Sequence, residues 1–396
     1  MKILTILEPI PHQLLDLVYR GLVEGGHEVT DLIFSPIRNP LIQDGETIIQ
    51  DANGNNVGSQ QSDGMIHFQA PIGGLKKCHI WLCPNSTGYN YDPDSINRLD
   101  DFDLILLGTF PRKNSLDKIV PHLRKAKERL FILDGGDDWY IKKVNEISRV
   151  YFKRELMNRR VPNLKEFIAR RLGDRRGNSA SEIINFWKDE VIGDVIRADL
   201  RKTVENLRGK LYPINSNFQP LNMSVASHGY EKYKGEKEYD IFFITSSGSA
   251  SRRYFAEKVS EFAKKAGLKA FVGVTGSFYG GVPWNEYIEK MQQSKVSIAY
   301  PGNGFDTIRY WEIPYYGSAL ASPRLPIVIE NNFKDMDSAI FFSDFSDFKK
   351  KIMEVLSNGQ WKDIAKKGQE HFQKYHTEKE RARRVLSALE IERGRE

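Results

Sequence analysis

Three charged side chains lie close together in the sequence: Asp306, Arg309 and Glu312. Together they could bind a ligand that carries both an anionic group and hydroxyls. Gly302 precedes them in a short stretch rich in glycine. A guanidinium can donate two parallel hydrogen bonds to a phosphate, and a carboxylate can accept bonds from two hydroxyls at once. If the segment from residue 307 onward is a helix, Arg309 and Glu312 lie on one face of it. These residue types predict a site for a nucleotide, which combines phosphate charge with ribose hydroxyls.

The elements around these residues can be predicted from the same stretch. The apolar run 296–300 predicts a buried strand, which ends at a Pro-Gly-Asn-Gly sequence. Thr307 can cap the following helix and Gly317 can end it, and a second apolar run at 326–329 predicts another strand. Open parallel sheets bind ligands where strands give way to helices, so this unit places the three side chains in a ligand crevice.

Length and composition restrict the class of protein. A chain of 396 residues exceeds one typical core and predicts two domains. The hydrophobic fraction of 40% and the charged fraction of 28% are those of a soluble globular protein. Cys78 and Cys83, the only cysteines, exclude a disulfide framework and favour a cytoplasmic location. They flank His79 on one predicted strand, where alternating side chains cannot form a tetrahedral metal site.

The net charge of +6 is concentrated in one segment. Residues 142–176 contain twelve Lys or Arg and only four acidic residues, a local excess of eight. From about 142 to 208 the pattern predicts charged helices, with aromatic and apolar residues between the basic ones. Such a segment can contact anionic lipid at the inner face of the cell membrane or an anionic acceptor, or it can be an ordinary solvated helix face. No nucleic-acid-binding motif accompanies the charge, which argues against a nucleic-acid partner.

Two α/β patterns follow one another along the chain. In each, short apolar strands alternate with amphipathic helices and end in polar or glycine-rich loops, which is typical of parallel sheets. The GxGxxG fingerprint is missing after the first strand. Residues 39–69 predict an irregular loop or hairpin, and the tail predicts three helices. The predicted strands are 2–7, 27–34, 79–82, 103–107, 129–133, 239–245 and 268–274, and the tail helices are 345–356, 360–375 and 377–389.

Three stretches carry a resemblance to a known family. They are YFKREL at 151–156, FFITSSGSASRR at 242–253 and GFDTIRYWEIPYYGSAL at 304–320. In order and spacing, the chain resembles glycosyltransferases of the GT-B class, and among them the CgeB-like, spore-coat-associated group. The third stretch is similar to the R-x-x-E-x-x-x-x-G element of these enzymes. It departs from the family at Tyr316-Gly317, where many members have Cys-Gly.

The resemblance implies an architecture and a division of labour. Two Rossmann-like domains would face each other across a cleft, with C-terminal helices crossing back to the first domain. Residues 1–212 would form the acceptor-side domain, 213–375 the domain that binds the nucleotide-sugar, and 376–396 the returning helix. A UDP- or GDP-sugar would be a substrate, with no cofactor and no metal. The acceptor, whether glycan, lipid or protein, is not identified by the resemblance.

The resemblance also assigns roles in donor binding. Glu312 would accept hydrogen bonds from the ribose hydroxyls, and Arg309 would reach the phosphate or pair with Glu312. Arg252 and Arg253 would neutralise the phosphates together with backbone N–H groups of the preceding loop. The complete predicted set for the donor is Ser247, Gly248, Arg252, Arg253, Tyr300, Gly302, Asp306, Arg309 and Glu312.

A general base for the acceptor hydroxyl is needed if the anomeric centre inverts. Glu8, His12, Asp137 and Asp138 are the candidates, because they follow predicted strands of the first domain. Two other functions remain open: a sugar-nucleotide epimerase of the same fold, and a non-catalytic module that binds a glycan or a partner protein. The triplets Asp92-Pro93-Asp94 and Asp101-Phe102-Asp103 match a metal-binding DxD motif only in their letters.

Overall fold

The structure is a computed structural model of the whole chain. It describes residues 1–7, 13–33, 41–43, 46–50, 56–60, 65–68, 79–81, 90–91, 93–109, 121–136, 147–156, 218–225, 235–246, 250–275, 284–302 and 304–393. Within these residues, no helix is both long enough and apolar enough to cross a membrane.

A seven-stranded parallel sheet forms the first half of the fold, in the order β12-β11-β10-β9-β1-β2-β8. Its central strands are continuous apolar runs that are buried on both faces, as parallel strands between helices must be. Helix α1 (Gln13–Glu24) connects its first two strands. The strands are β1 (Lys2–Leu7), β2 (Glu28–Ile33), β8 (Asn90–Tyr91), β9 (Leu104–Thr109), β10 (Leu130–Asp134), β11 (Val150–Lys153) and β12 (Phe218–Pro220).

Three short 3₁₀ helices accompany this sheet, at Pro93–Asn97, Leu99–Asp101 and Arg124–Arg129. The sequence of residues 115–127, between two predicted strands, predicts a helix, and the last of these 3₁₀ helices overlaps its end. Residues 115–120 lie outside the described part of the chain. The sheet also extends past residue 212, the predicted end of the first domain, because β12 pairs in parallel with β11.

A five-stranded parallel sheet forms the second half, in the order β14-β13-β15-β16-β17. The alternation of strand and helix from residue 239 onward agrees with the sequence pattern. The strands are β13 (Tyr239–Ser246), β14 (Ala270–Thr275), β15 (Ser294–Ile298), β16 (Ala319–Pro323) and β17 (Ile340–Phe342), and the helices between them are α2 (Ala250–Ala266), α3 (Trp284–Gln292) and α4 (Ile308–Tyr315).

Two sequence interpretations are wrong at the level of elements. The strand predicted at 326–329 is β16 instead, seven residues earlier, because Gly317 ends α4 with a positive φ of 79° and the small residues that follow pair at once with β15. Residues 150–153, expected to be helical, form β11 in the sheet. Their side chains are fully buried, which the basic character of the segment concealed.

A third sheet replaces the irregular loop or hairpin expected at 39–69. It is an antiparallel meander in which five strands follow one another in chain order. The strands are β3 (Leu41–Gln43), β4 (Glu46–Gln50), β5 (Asn56–Gln60), β6 (Met65–Phe68) and β7 (His79–Trp81). Turn-forming residues dominate the sequence here, so the short strands between them gave little apolar signal.

The C-terminal tail consists of helices α5 (Phe345–Ser357), α6 (Trp361–Tyr375) and α7 (Glu378–Arg393). The last helix crosses back and packs on α1 of the first half, as the resemblance implied. Gly21 makes this close contact possible, because a Cβ atom there would lie 2.2 Å from the carbonyl oxygen of Glu378. The apolar faces of α1 and α7 belong to one continuous core cluster that also contains α4.

Buried polar contacts join the two halves where their chain segments meet. We call this region the domain junction: residues 154–156, 221–225, 305–306, 328 and 376–381. Two of its backbone contacts are the 2.7 Å bond from Val328 N to the Leu156 carbonyl and the bonds that Arg381 donates to the Met223 carbonyl at 3.0 and 3.2 Å. His376 lies between the halves without exposure, and burial holds its pKa well below the ordinary value.

Candidate functional site

The site is built on the connection between β15 and α4, residues 299–307, which we call the β15–α4 loop. Strand β15 is buried in the sheet and α4 packs with nearly every side chain inward. The predicted start of α4 is confirmed, with Thr307 in the N-cap position. Arg309 and Glu312 therefore lie one helical turn apart at the carboxyl end of a parallel strand, where the sequence placed them.

Glu312 is the most deeply placed of the predicted residues, with 1% of its surface exposed. Its Oε2 atom accepts a hydrogen bond of 2.8 Å from the Tyr287 hydroxyl, whereas its Oε1 atom makes no hydrogen bond within the described residues. Burial raises the carboxyl pKa to about 7, against the opposing effects of nearby Arg309 and of the tyrosine bond. A buried carboxylate oxygen without a donor is costly, and a ligand hydroxyl would supply that donor.

The Arg309 guanidinium lies near this carboxylate, and the Arg252 guanidinium lies near Arg309 and Tyr287. Arg309 is buried and stacks over the Tyr287 ring, with Cζ 5.8 Å from the ring centroid. Arg252, from the first turn of α2, donates from Nε to the carbonyls of Tyr300 (3.2 Å) and Pro301 (3.1 Å). Burial and the positive charge of Arg309 together lower the Arg252 pKa to about 10. Two cations thus lie close together in a partly dry environment, one of them near the Glu312 carboxylate, which favours an anionic ligand.

Gly302 lets Arg252 lie against the loop. A Cβ atom at this position would be 2.4 Å from both Cζ and Nη2 of Arg252, closer than real contacts allow. The guanidinium plane of Arg252 therefore covers the backbone of the loop, and its position depends on a residue without a side chain.

Asp306 occupies the domain junction. Its Oδ2 accepts a 2.7 Å bond from Met223 N and its Oδ1 a 2.6 Å bond from Trp311 Nε1. Burial raises its pKa, which Arg154 and these two hydrogen bonds oppose. Both carboxylate oxygens therefore bind protein groups rather than open space, although the sequence analysis placed this residue along the sugar or phosphate of the donor.

Tyr300, another predicted residue, stacks its ring on Phe255 with centroids 4.2 Å apart. Tyr310, the next residue after Arg309 on α4, is buried with its hydroxyl 2.6 Å from Asn332 Oδ1. Arg253 is exposed on α2. Ser247, Gly248, Glu8, His12, Asp137 and Asp138 lie outside the described residues.

The sequence analysis missed a buried cluster at the ends of β10 and β11. Asp134 and Lys153 are both fully buried, with Lys153 Nζ 3.0 Å from Asp134 Oδ2, and the Tyr151 hydroxyl donates to the same oxygen. Asp134 Oδ1 also accepts a 3.0 Å bond from Gly136 N. The cluster fixes the turn that leads to residues 137 and 138. The sequence analysis takes its candidate residues from the ends of predicted strands. Because residues 150–153 were not predicted as a strand, Lys153 and its partners were not among the candidates.

Tyr287 and Glu155 were also missed. Tyr287 lies on the inward face of α3, where its type and spacing indicate only a core residue, and its hydroxyl bond to Glu312 has no sequence signal. Glu155 follows β11 directly and is fully buried. It was included in the YFKREL stretch but interpreted as part of a basic helix.

Comparisons with known proteins agree with this arrangement. Residues 252–387, about a third of the chain, match the sequence model of the family described as Glycosyl transferase-like. The segment contains Arg252, Arg309 and Glu312. The comparison with curated proteins gave no match.

Solved structures show the same fold. The chain is similar to the GtfA/B complex, with a TM-score of 0.50, 8% identity and 99% of each chain covered. It is also similar to the pneumococcal O-GlcNAc transferase GtfA in complex with UDP and GlcNAc (0.47, 9%, 99% of each chain) and to a glycosyltransferase from Rickettsia africae (0.47, 9%, 98% of each chain). At such identities the likeness concerns the fold alone. The fold is the two-domain, Rossmann-like GT-B architecture that the sequence predicted.

Proposed function

We propose that the protein is a glycosyltransferase that transfers a sugar from a nucleotide-sugar donor, and that its C-terminal half binds the donor. The observation that carries this proposal is the buried Oε1 atom of Glu312, which has no hydrogen bond among the described residues and lies near Arg309, with Arg252 close to Arg309. A nucleoside diphosphate fits this charge pattern, because it offers ribose hydroxyls as donors and a diphosphate as anion. The GT-B fold and the family match of residues 252–387 support the same assignment.

The roles of the two arginines follow from the chemistry of transfer. Negative charge accumulates on the leaving diphosphate as the sugar bond breaks, and fixed cations in a poorly hydrated site stabilise it. Arg252 and Arg309 are those cations in the described structure. Glu312 is 1% exposed, so the donor reaches it only when neighbouring side chains move. Arg252 is the side chain best placed to do so, because phosphate oxygens can replace the carbonyls that it now binds.

On the acceptor side, His12, Asp137 and Asp138 remain the proposed candidates for a general base. The Asp134–Lys153–Tyr151 cluster supports the aspartates, because it anchors the turn that precedes them through Gly136. Asp306 is proposed to act at the domain junction rather than on the sugar. Arg253, Tyr300 and Gly302 remain proposed members of the donor site, with Gly302 acting through Arg252.

Among the described residues, no group of three or more His, Cys, Asp or Glu is arranged to hold a metal ion. We propose that transfer proceeds without a metal, and activity that is lost in EDTA would contradict this.

Lys153 and Arg154 are buried and are therefore unavailable to an anionic membrane. Flotation with vesicles that contain or lack anionic lipid tests whether the other basic residues of 142–208 bind a membrane.

Calorimetric titration with UDP, GDP, dTDP and CMP tests the donor site. We expect one of them to bind, and binding to be lost in Arg252→Ala and Glu312→Ala. Tyr310→Phe is the matched control, because it removes a buried hydroxyl bond from the same helix without contacting Glu312. Absence of binding to all four nucleotides would overturn the proposed function.

A further inference from the structure

The N-terminal half reaches across the domain junction and binds the β15–α4 loop through Glu155. This residue follows β11 and is fully buried. Its Oε2 atom accepts a 3.0 Å bond from Phe305 N, and its Oε1 atom accepts a 2.9 Å bond from Asp306 N. One side chain of the first half therefore satisfies two consecutive backbone N–H groups of the second.

The same loop is fixed at its other end by Arg252. The guanidinium lies over Gly302 and binds the carbonyls of Tyr300 and Pro301, four to six residues before the N–H groups that donate to Glu155. Beyond the Glu155 contact the chain enters α4 within two residues. The position of the loop, and with it the start of the helix that carries Arg309 and Glu312, is set from both halves of the protein.

The contact is not a simple packing interaction. Burying a carboxylate costs several kcal/mol unless it is well satisfied, and an apolar contact of similar size is commonly as stable. Here the charge is balanced by two N–H donors and by Arg154, whose Nη2 lies 3.6 Å from Glu155 Oε1. The second buried acid, Asp306, is held in turn by Met223 N from the first half. This reciprocal arrangement specifies one geometry of the loop.

We propose that Glu155 is a positioning residue for the donor site: it holds the β15–α4 loop from the opposite domain, so that donor affinity depends on a side chain that does not touch the donor. The proposal rests on the proposed function, since the loop is assigned to the donor site there. It links the placement of the two halves directly to the residues that bind nucleotide.

Glu155→Gln tests the proposal. The amide keeps the size of the side chain but offers one oxygen, and its NH₂ group faces an N–H donor of the loop. We expect the affinity for the nucleoside diphosphate that binds the wild-type protein to fall by about tenfold, the effect of one charge-assisted hydrogen bond. Ser224→Ala is the control: Ser224 is fully buried in the same junction and donates to the His376 carbonyl, and among the described residues it has no hydrogen bond to the loop. Its nucleotide affinity should stay within about twofold of the wild-type value, which is roughly the error of such measurements.

Two further readouts separate positioning from a general loss of structure. Thermal unfolding of both variants shows whether they are destabilised to the same extent. The pH profile of affinity should also change, because burial raises the Glu155 pKa to about 7, with Arg154 and Asp306 as the charged groups facing it. Protonation removes an acceptor from the loop, so wild-type affinity should decrease more steeply than that of Glu155→Gln as the pH falls from 8 to 6.

The outcomes are distinct. Weaker binding in Glu155→Gln alone, with a flatter pH profile, supports the proposal. Equal affinities in Glu155→Gln and wild type, or an equal loss in Ser224→Ala, overturn it. If Glu312→Ala abolishes binding while Glu155→Gln leaves it intact, the positioning role fails and the proposed function stands. If wild type binds no nucleotide, the proposed function fails and the positioning role with it.

Discussion

Glu312 bears its charge in surroundings that oppose ionisation. Burial raises its pKa to about 7, so the acceptor form that ribose hydroxyls require is present in full only above neutral pH. We therefore predict that nucleotide affinity increases from pH 6 to pH 8 by at least roughly tenfold, the change that the ionised fraction of Glu312 alone would give. Calorimetric titrations across this range measure the effect.

The control for this prediction is Glu312→Gln. The terminal phosphate of a nucleotide also titrates near pH 6, so part of the pH dependence belongs to the ligand. The amide of Glu312→Gln stays neutral from pH 6 to pH 8. The pH profile of nucleotide affinity in this variant should therefore retain only the contributions of the ligand and of Glu155. Identical profiles for wild type and Glu312→Gln would contradict the role of this carboxylate.

Tyr287 supports Glu312 and can be tested separately. Its hydroxyl stabilises the ionised carboxylate through a 2.8 Å bond, and its ring carries the Arg309 guanidinium. Tyr287→Phe keeps the ring and removes the bond, so the pKa of Glu312 should increase further. We predict that the midpoint of the affinity profile shifts to higher pH and that affinity at pH 7 falls by about threefold to tenfold. A shift of the midpoint to lower pH would contradict a hydrogen bond from the Tyr287 hydroxyl to the Glu312 carboxylate.

At the scale of elements, the part of the fold with a clear apolar period could be predicted from the sequence. The strand at 296–300 and the helix after Thr307 were predicted because an apolar run, a Pro-Gly break and a capping residue follow one another. β11 was missed because Lys153 and Arg154 are basic, and their contacts with Asp134 and Glu155, which help to explain their burial, have no signal in the sequence. β16 was misplaced because Ala and Ser gave a weaker signal than the apolar run after it.

The loop that joins β15 to α4 gives an element-scale prediction. Gly302→Ala would place a Cβ atom 2.4 Å from the end of the Arg252 side chain, which must then move away. Because a flexible side chain can move at little cost, we expect unfolding free energy to change by less than about 1 kcal/mol while nucleotide affinity falls severalfold.

Gly273→Ala is the matched variant, since its Cβ would meet only Ile244 Cγ1 at 3.8 Å, an ordinary contact. Its affinity for nucleotide should equal that of the wild type. Unchanged binding in Gly302→Ala would show that the observed position of Arg252 is unimportant for the donor.

At the scale of the whole molecule, the crossing of α7 over α1 holds the two halves together. Alanine stabilises helices by about 1 kcal/mol relative to glycine, so Gly21→Ala should be favourable from helix propensity alone. The structure predicts the opposite sign, because the added Cβ would lie 2.2 Å from the Glu378 carbonyl oxygen. We expect a loss of about 1–3 kcal/mol from overpacking, measured by chemical denaturation. A gain in stability would indicate that α7 does not pack here.

The domain junction marks the limit of inference from sequence. Glu155 and Asp306 are 151 positions apart, and neither residue type nor spacing shows that one accepts the N–H of the other. Asp306 was assigned to the donor because it precedes Arg309 and Glu312, whereas its carboxylate binds Met223 and Trp311. The sequence could therefore indicate which helix carries the donor residues, but not which of its acids faces the ligand and which joins the domains.

The most direct measurement compares the affinity of the preferred nucleoside diphosphate with that of its 2′,3′-dideoxy analogue, in wild type and in Glu312→Ala. If Glu312 accepts the ribose hydroxyls, the wild-type protein should bind the dideoxy analogue at least about tenfold more weakly, and Glu312→Ala should bind both with similar, low affinity. Full discrimination between the two ligands in Glu312→Ala would contradict the assignment of this carboxylate, and with it the account of the donor site.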